Sequence, residues 1–134
     1  MSIIQTLTHD ETILIDEALG KPDGVVAVPT DTVYGLVCNI DHHLAVEKIY
    51  NIKKKKLAKP LILLGTSKEV FEKYVKYIPE ELAHIMDKYW PGELTIVLPK
   101  SRHAPDNITA GLDSIGIRVP KHPILIEVLK RCCK

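Results

Sequence analysis

The stretch Val25-Val26-Ala27-Val28-Pro29-Thr30-Asp31-Thr32-Val33-Tyr34-Gly35 joins a short β-branched run to a polar turn. Lys21-Pro22-Asp23-Gly24 precedes the run and Pro29 ends it, which predicts a strand over Val25 to Val28 buried on both faces. Thr30-Asp31-Thr32 then falls at a strand end, where open α/β sheets bind ligands. Two hydroxyls and a carboxylate there fit a ligand contact. They equally fit a turn whose Thr and Asp satisfy backbone groups.

Outward from this stretch, helices and strands alternate. Thr8-His9-Asp10-Glu11 has the form of a capping box for a helix that carries Ile13, Leu14, Ala18 and Leu19 and stops at Gly20. A second strand is expected around Leu36 to Asn39, and Asp41 can cap a helix with Leu44, Ala45, Ile49 and Ile52 on its apolar face. Leu61 to Leu64 reads as another buried strand. Ser67 can cap a helix presenting Val70, Phe71 and Tyr74, and Pro79 suits the first turn of one with Leu82, Ile85, Met86 and Tyr89 inward. Trp90-Pro91-Gly92 breaks that helix. Leu94 to Leu98 and Ile115 to Val119 read as strands, with Ser101 to Leu112 as a loop between them. Pro123 to Cys133 makes a last helix with Ile124, Leu125, Val128 and Leu129 inward. The alternation predicts α/β (α+β) architecture: a mixed sheet with helices packed on it, in one domain over residues 1–134.

Composition agrees. The 134 residues carry 18 Lys plus Arg against 17 Asp plus Glu, a formal charge of +1, so a surface that binds polyanions everywhere is excluded while a local basic site is not. The apolar runs are strand-sized, well short of the ~20 residues of a membrane span. No basic segment followed by a long apolar stretch opens the chain, so no secretory signal and no membrane partner are expected. Cys38, Cys132 and Cys133 form no disulfide framework and read as reduced, in a cytoplasmic setting. No His, Cys or acidic spacing predicts a metal site.

Two further segments could carry chemistry. Lys53-Lys54-Lys55-Lys56, with Lys59 beyond, ends a helix and precedes a strand, so several ammonium groups could converge on a polyphosphate. A solvated run at a helix C-terminus is the alternative. In Ser114-Ile115-Gly116-Ile117-Arg118-Val119-Pro120, alternation puts Ser114, Gly116 and Arg118 on one face and Ile115, Ile117 and Val119 on the other. An arginine flanked by apolar residues calls for an anion, either a ligand carboxylate or phosphate or an internal acid. Neither GxxxxGK[ST] nor GxGxxG nor GxSxG occurs, and Cys38 reads as a core residue rather than a nucleophile.

Taken in order, Val28 to Leu36 (VPTDTVYGL), Lys48-Ile49-Tyr50, Lys59-Pro60-Leu61-Ile62, Trp90-Pro91-Gly92-Glu93-Leu94-Thr95 and Ile117-Arg118-Val119-Pro120 resemble the YrdC-like family of threonylcarbamoyl-adenylate synthases. The resemblance runs from about Gly24 to the end. It implies a twisted sheet with a broad concave cavity, and formation of threonylcarbamoyl-AMP and pyrophosphate from L-threonine, bicarbonate and ATP with Mg2+. The product would serve N6-threonylcarbamoyladenosine formation at tRNA position 37 through a separate threonylcarbamoyl transferase complex.

Carried over by position, the resemblance implies that Thr32 contacts threonine and that Arg118 holds its carboxylate. Lys53 and Lys55 would be the catalytic cations, and Lys55, Lys59 and Ser114 would face ATP. Lys55 stands where the family's Lys-x-Arg motif has arginine, which keeps the charge and loses the bidentate fork. Leu64 stands where some relatives have a histidine. Family members continue beyond the last helix into a Ser-x-Asn segment that this sequence does not reach. Two other readings compete: an inactive module binding double-stranded or structured RNA, and a carbamoyl-transfer module acting on carbamoyl phosphate.

Overall fold

A computed structural model describes residues 12–28, 35–53 and 60–132. The capping box at Thr8 to Glu11, the Thr30-Asp31-Thr32 turn, Lys54 to Lys56 and Lys59 lie outside the described residues. Helix α1 (Thr12–Leu19) ends at Gly20, whose N–H donates to the Asp16 carbonyl at 3.0 Å. Strands β1 (Val25–Val28) and β2 (Gly35–Cys38) pair antiparallel, Val25 opposite Cys38 and Val28 opposite Gly35. Only Val28 of β1 is fully buried, because β1 and β2 make a two-stranded ribbon and not a central strand pair. The expectation of burial on both faces is therefore corrected.

Helix α2 (His43–Lys53) buries Ala45, Val46, Ile49 and Tyr50, whereas Leu44 and Ile52 are 51% and 47% exposed. The inward stripe is rotated from the expected one because Val46 and Tyr50 pack with Ile108, and the Tyr50 hydroxyl donates to the Asn107 carbonyl at 2.9 Å. The first helical bond runs from the Val46 N–H to the His42 carbonyl, so His42 rather than Asp41 stands at the cap. Asp41 instead donates its N–H to Asn39 Oδ1, an Asx turn ahead of the helix.

Strand β3 (Ile62–Leu64) is an edge strand, and Ile62 is 50% exposed, so the buried-strand reading fails there. After it comes a 3-10 turn, Lys68–Lys73, in place of the expected α-helix; Ser67 is extended and makes no side-chain cap bond. Phe71 still goes inward, and the chain leaves the turn to bridge Val75 to Lys100 beside the next strand. Helix α3 (Glu80–Tyr89) has Glu80 and Glu81 in its first turn and Lys88 in its last, complementing its dipole. Met86 is buried and Leu82 packs on the same core. Ile85 and Tyr89, expected inward, are 37% and 52% exposed, since a three-stranded sheet accepts only the narrow i, i+4 stripe. The Lys88 ammonium lies 5.3 Å from the Tyr89 ring centre.

Strand β4 (Ile96–Pro99) is followed by a segment that is not all loop. Pro105 starts, and Ala110 and Gly111 with positive φ (53° and 76°) stop, a single-turn helix α4 (Asp106–Thr109). Lys100 Nζ holds it through Asp106 Oδ1 at 2.7 Å and Thr109 Oγ1 at 3.0 Å. Strand β5 (Ser114–Arg118) lies centrally, parallel to β3 and antiparallel to β4. Helix α5 (Pro123–Cys132) closes the described chain, with Leu125 and Val128 buried against Ile15, Leu19 and Val28.

The mixed α/β architecture is thus present, as two sheets among the described residues rather than one. Ile96, Leu98, Ile115 and Ile117 turn one face of β3-β5-β4 toward Phe71, Val75 and Met86. The opposite face carries Ser114, Gly116 and Arg118, so the alternation read from the sequence holds.

Candidate functional site

Pairing fixes which side chains share the second face of the sheet. Gly116 lies between Ile62 on β3 and Val97 on β4, Arg118 opposite Leu64, and Ser114 opposite Pro99. Thr95, one step beyond the Ile96–Ile117 pair, comes close enough to Gly116 that an added Cβ there would meet its methyl at 3.5 Å. Val97 is 63% exposed and Ile62 half exposed, so this face is apolar at its centre and polar at both ends of β5. Ser114 and Arg118 are four residues apart, about 13 Å along the strand. That distance suits a ligand with two recognised parts better than a single small ion.

The Arg118 end is tightly constructed. Its Nε donates to the Gly92 carbonyl at 2.9 Å, its own carbonyl accepts from the Gly65 N–H at 3.2 Å, and Gly92 returns an N–H to the Val119 carbonyl at 2.8 Å. The described acceptor at Nε is a backbone carbonyl. Partial burial lowers the guanidinium pKa from its ordinary value, and an arginine so placed still stays protonated near neutrality. A hollow of about 190 Å³ lies beside this end, between Thr66, Ser67 and Lys68 on one wall and Trp90 and Pro91 on the other.

The Ser114 end is open. A depression of about 660 Å³ is lined there by Lys76, Val97, Lys100, Arg102, Leu112 and Ser114. Lys100 is engaged with Asp106 and Thr109, while Lys76 and Arg102 are exposed.

Of the sequence-derived site residues, Ser114 and Arg118 come to one face of one strand. Lys53 is the last residue of the backbone of α2 to be described; Thr32, Lys55 and Lys59 lie outside the described residues. Cys38, expected in the core, is only partly buried; that burial pushes its thiol pKa up to about 11, and it packs beside Val46 and Tyr50. Among the described residues no three His, Cys, Asp or Glu side chains gather to hold a metal, and no helix is long and apolar enough to cross a membrane.

Sequence reading took Trp90-Pro91-Gly92 as a helix stop and missed that it builds the Arg118 end. The one signal was the tryptophan itself, whose indole N–H commonly finds an acceptor when its ring packs on a core; here, half-buried, it donates to the Leu94 carbonyl at 2.7 Å. Gly92 is required for a second reason, since a Cβ at that position would collide with the Tyr89 carbonyl.

The fold and this face define a mixed α/β domain whose central strand ends on a fixed arginine. The family model for Sua5, YciO and YrdC, described as telomere recombination, matches residues 19–134, and the chain belongs to that family. It is 42% identical over 106 residues to the threonylcarbamoyl-AMP synthase of Pyrococcus abyssi, covering 79% of this chain and 31% of that protein. It is 37% identical over 124 residues to the threonylcarbamoyl-AMP synthase of Bacillus subtilis, covering 92% of this chain and 36% of that one. The crystal structure of P. abyssi Sua5 complexed with L-threonine superposes with a TM-score of 0.88 at 35% identity, over 96% of this chain and 37% of that one. The chain spans about a third of the length of these relatives.

Proposed function

We propose that the chain forms L-threonylcarbamoyladenylate and pyrophosphate from L-threonine, bicarbonate and ATP, in the service of N6-threonylcarbamoyladenosine formation on tRNA. The observation that carries this reading is Arg118, half-buried on the central strand and fixed through Nε to Gly92. It stands in a fold that superposes on a threonine-bound relative.

In the proposed reaction bicarbonate gives up hydroxide, which leaves as water once protonated, and the amine of threonine attacks the carbon of the carbon dioxide so formed. A nitrogen–carbon bond forms and the amine gives up a proton. A carbamate oxygen then attacks the α-phosphorus of ATP; the new oxygen–phosphorus bond forms as the bond to the β-phosphate oxygen breaks, and pyrophosphate leaves with that electron pair. Mg2+ enters with ATP as part of the substrate.

The chain's own groups would act by position and charge. Arg118 would hold the threonine carboxylate by the end-on fork of its guanidinium, with Thr32 contacting the rest of the amino acid. Lys53 and Lys55 would neutralise charge growing on the transferring phosphate and the leaving pyrophosphate. Lys59 and Ser114 would face the nucleotide, and the apolar centre formed by Ile62, Gly116 and Val97 would leave the two polar ends of β5 to define its orientation. Lysine at position 55 in place of the family's arginine predicts weaker ATP binding than in arginine-bearing relatives.

The test is release of pyrophosphate by the purified chain in ATP, Mg2+ and bicarbonate, with and without L-threonine. Threonine-dependent release is expected. A folded chain that releases none, or releases it equally without threonine, contradicts the proposal.

A further inference from the structure

The Trp90-Pro91-Gly92-Glu93-Leu94-Thr95 stretch supplies no group to the proposed reaction, yet its hydrogen bonds converge on Arg118. Trp90 is anchored at both ends: its N–H donates to the Met86 carbonyl of α3 at 2.9 Å, and its ring lies 5.5 Å from that of Phe71, tilted by 55°. Its indole N–H reaches four residues ahead to the Leu94 carbonyl at 2.7 Å and so closes the turn. Within the closed turn, Gly92 is tied to the end of β5 on both sides of its residue. Its N–H goes to the Val119 carbonyl at 2.8 Å, and its carbonyl receives Arg118 Nε at 2.9 Å.

We infer that Trp90 is a positioning residue for the guanidinium of Arg118, acting by closing the turn that presents the Gly92 carbonyl. The inference rests on the reading of Arg118 as the group that holds the substrate carboxylate. A free arginine side chain has several rotatable bonds whose freedom is lost on binding. A fixed acceptor at Nε meets that cost during folding, before the ligand arrives. Closing the turn restrains the backbone from Gly92 to Leu94, so the indole N–H, which holds the Leu94 carbonyl, and Arg118, which holds the Gly92 carbonyl, are linked through that short stretch of chain. Gly92 has to be glycine for the same reason: any side chain would press on the Tyr89 carbonyl and turn the peptide out of line.

The chain contains one tryptophan, so its indole N–H gives a single resonance in a nitrogen-15 spectrum. Titration of the unaltered chain with L-threonine is expected to shift that resonance, whereas an indole signal that saturating threonine leaves unmoved overturns the inference without any substitution. Trp90→Phe keeps a ring against Phe71 and removes the N–H. Its dissociation constant for threonine is expected to rise about three- to tenfold, the span of one net hydrogen bond, with ATP affinity unchanged. Val46→Ala, a cavity substitution in a separate core cluster, should leave threonine affinity alone. If it weakens threonine as much as Trp90→Phe does, the role of Trp90 is merely structural and the inference falls.

The parent reading fails separately. Threonine that does not bind the unaltered chain, or binds Arg118→Ala equally well, removes Arg118 from the site and the inference with it. Threonine that binds the parent, is lost in Arg118→Ala and binds Trp90→Phe as tightly as the parent overturns the positioning role alone.

Discussion

The two ends of β5 are built to different standards. At Arg118 the side chain is half-buried, its Nε is committed to a carbonyl, and the turn supplying that carbonyl is itself stapled to the strand. Four residues away, Ser114 opens on a depression more than three times as large as the hollow beside Arg118 (about 660 against 190 Å³), lined by exposed Val97 and Leu112 and by lysine and arginine side chains. Discrimination between ligands is therefore expected at the Arg118 end. A fixed guanidinium rejects ligands without a matching anion, while an open basic wall tolerates variation in what it holds.

The largest effect should follow from breaking the ordered end. Arg118→Ala is expected to weaken L-threonine binding by about a hundredfold or more, the consequence of truncating one partner of a desolvated charge pair, and Arg118→Lys by an intermediate amount because it keeps charge without the fork. Titration calorimetry measures both; equal losses in the two variants would mean that charge without the fork contributes nothing, and no loss in Arg118→Lys would mean that the fork contributes nothing beyond charge. Lys55→Ala should lower turnover by about a hundredfold with little change in thermal stability, and unchanged turnover would take Lys55 out of the reaction.

A third expectation concerns chemistry that belongs to neither end. With its thiol pKa raised by burial from 9.0 to about 11, Cys38 should be alkylated at pH 8 roughly a hundredfold more slowly than an exposed thiol. The sign for stability follows from linkage: the unfolded thiol ionises first, so the contribution of Cys38 is intact below pH 9 and is lost as pH rises through about 11. Rapid modification of Cys38 in the folded chain, read by peptide mapping, would contradict its assignment to the core.

Smaller effects should come from the open end. Ser114→Ala is expected to weaken ATP binding by about fivefold, one neutral hydrogen bond's worth, with threonine affinity unchanged; a loss confined to threonine would reverse the assignment of the two ends. Val97→Ala, at a position 63% exposed, should change unfolding free energy by no more than about 0.5 kcal/mol. A larger change in urea denaturation would mean that something covers this part of the sheet.

These contrasts also mark what could be read from residues alone. The alternation over Ser114 to Val119 gave the correct faces of β5, because a period of two on a strand with one covered side leaves no second solution. Five strands and the helices at both ends of the chain fell close to their expected places. The helix faces were read less well. On α2, Leu44 and Ile52 lost the inward positions to Val46 and Tyr50 through a contact with Ile108, more than fifty residues away, which no local period contains. The segment after Ser67 became a 3-10 turn because the chain must reach the Val75 to Lys100 bridge. For the site, charge and alternation pointed to Arg118 but not to its acceptor. A backbone carbonyl leaves no mark in a sequence, and only the glycine that exposes it does.

The most direct measurement is to titrate the chain with L-threonine and with L-threoninamide, which differ only in the carboxylate. If Arg118 on the bracketed end of β5 reads that carboxylate, threonine binds and the amide binds about a hundredfold more weakly or not at all. Equal affinity for the two would contradict the account.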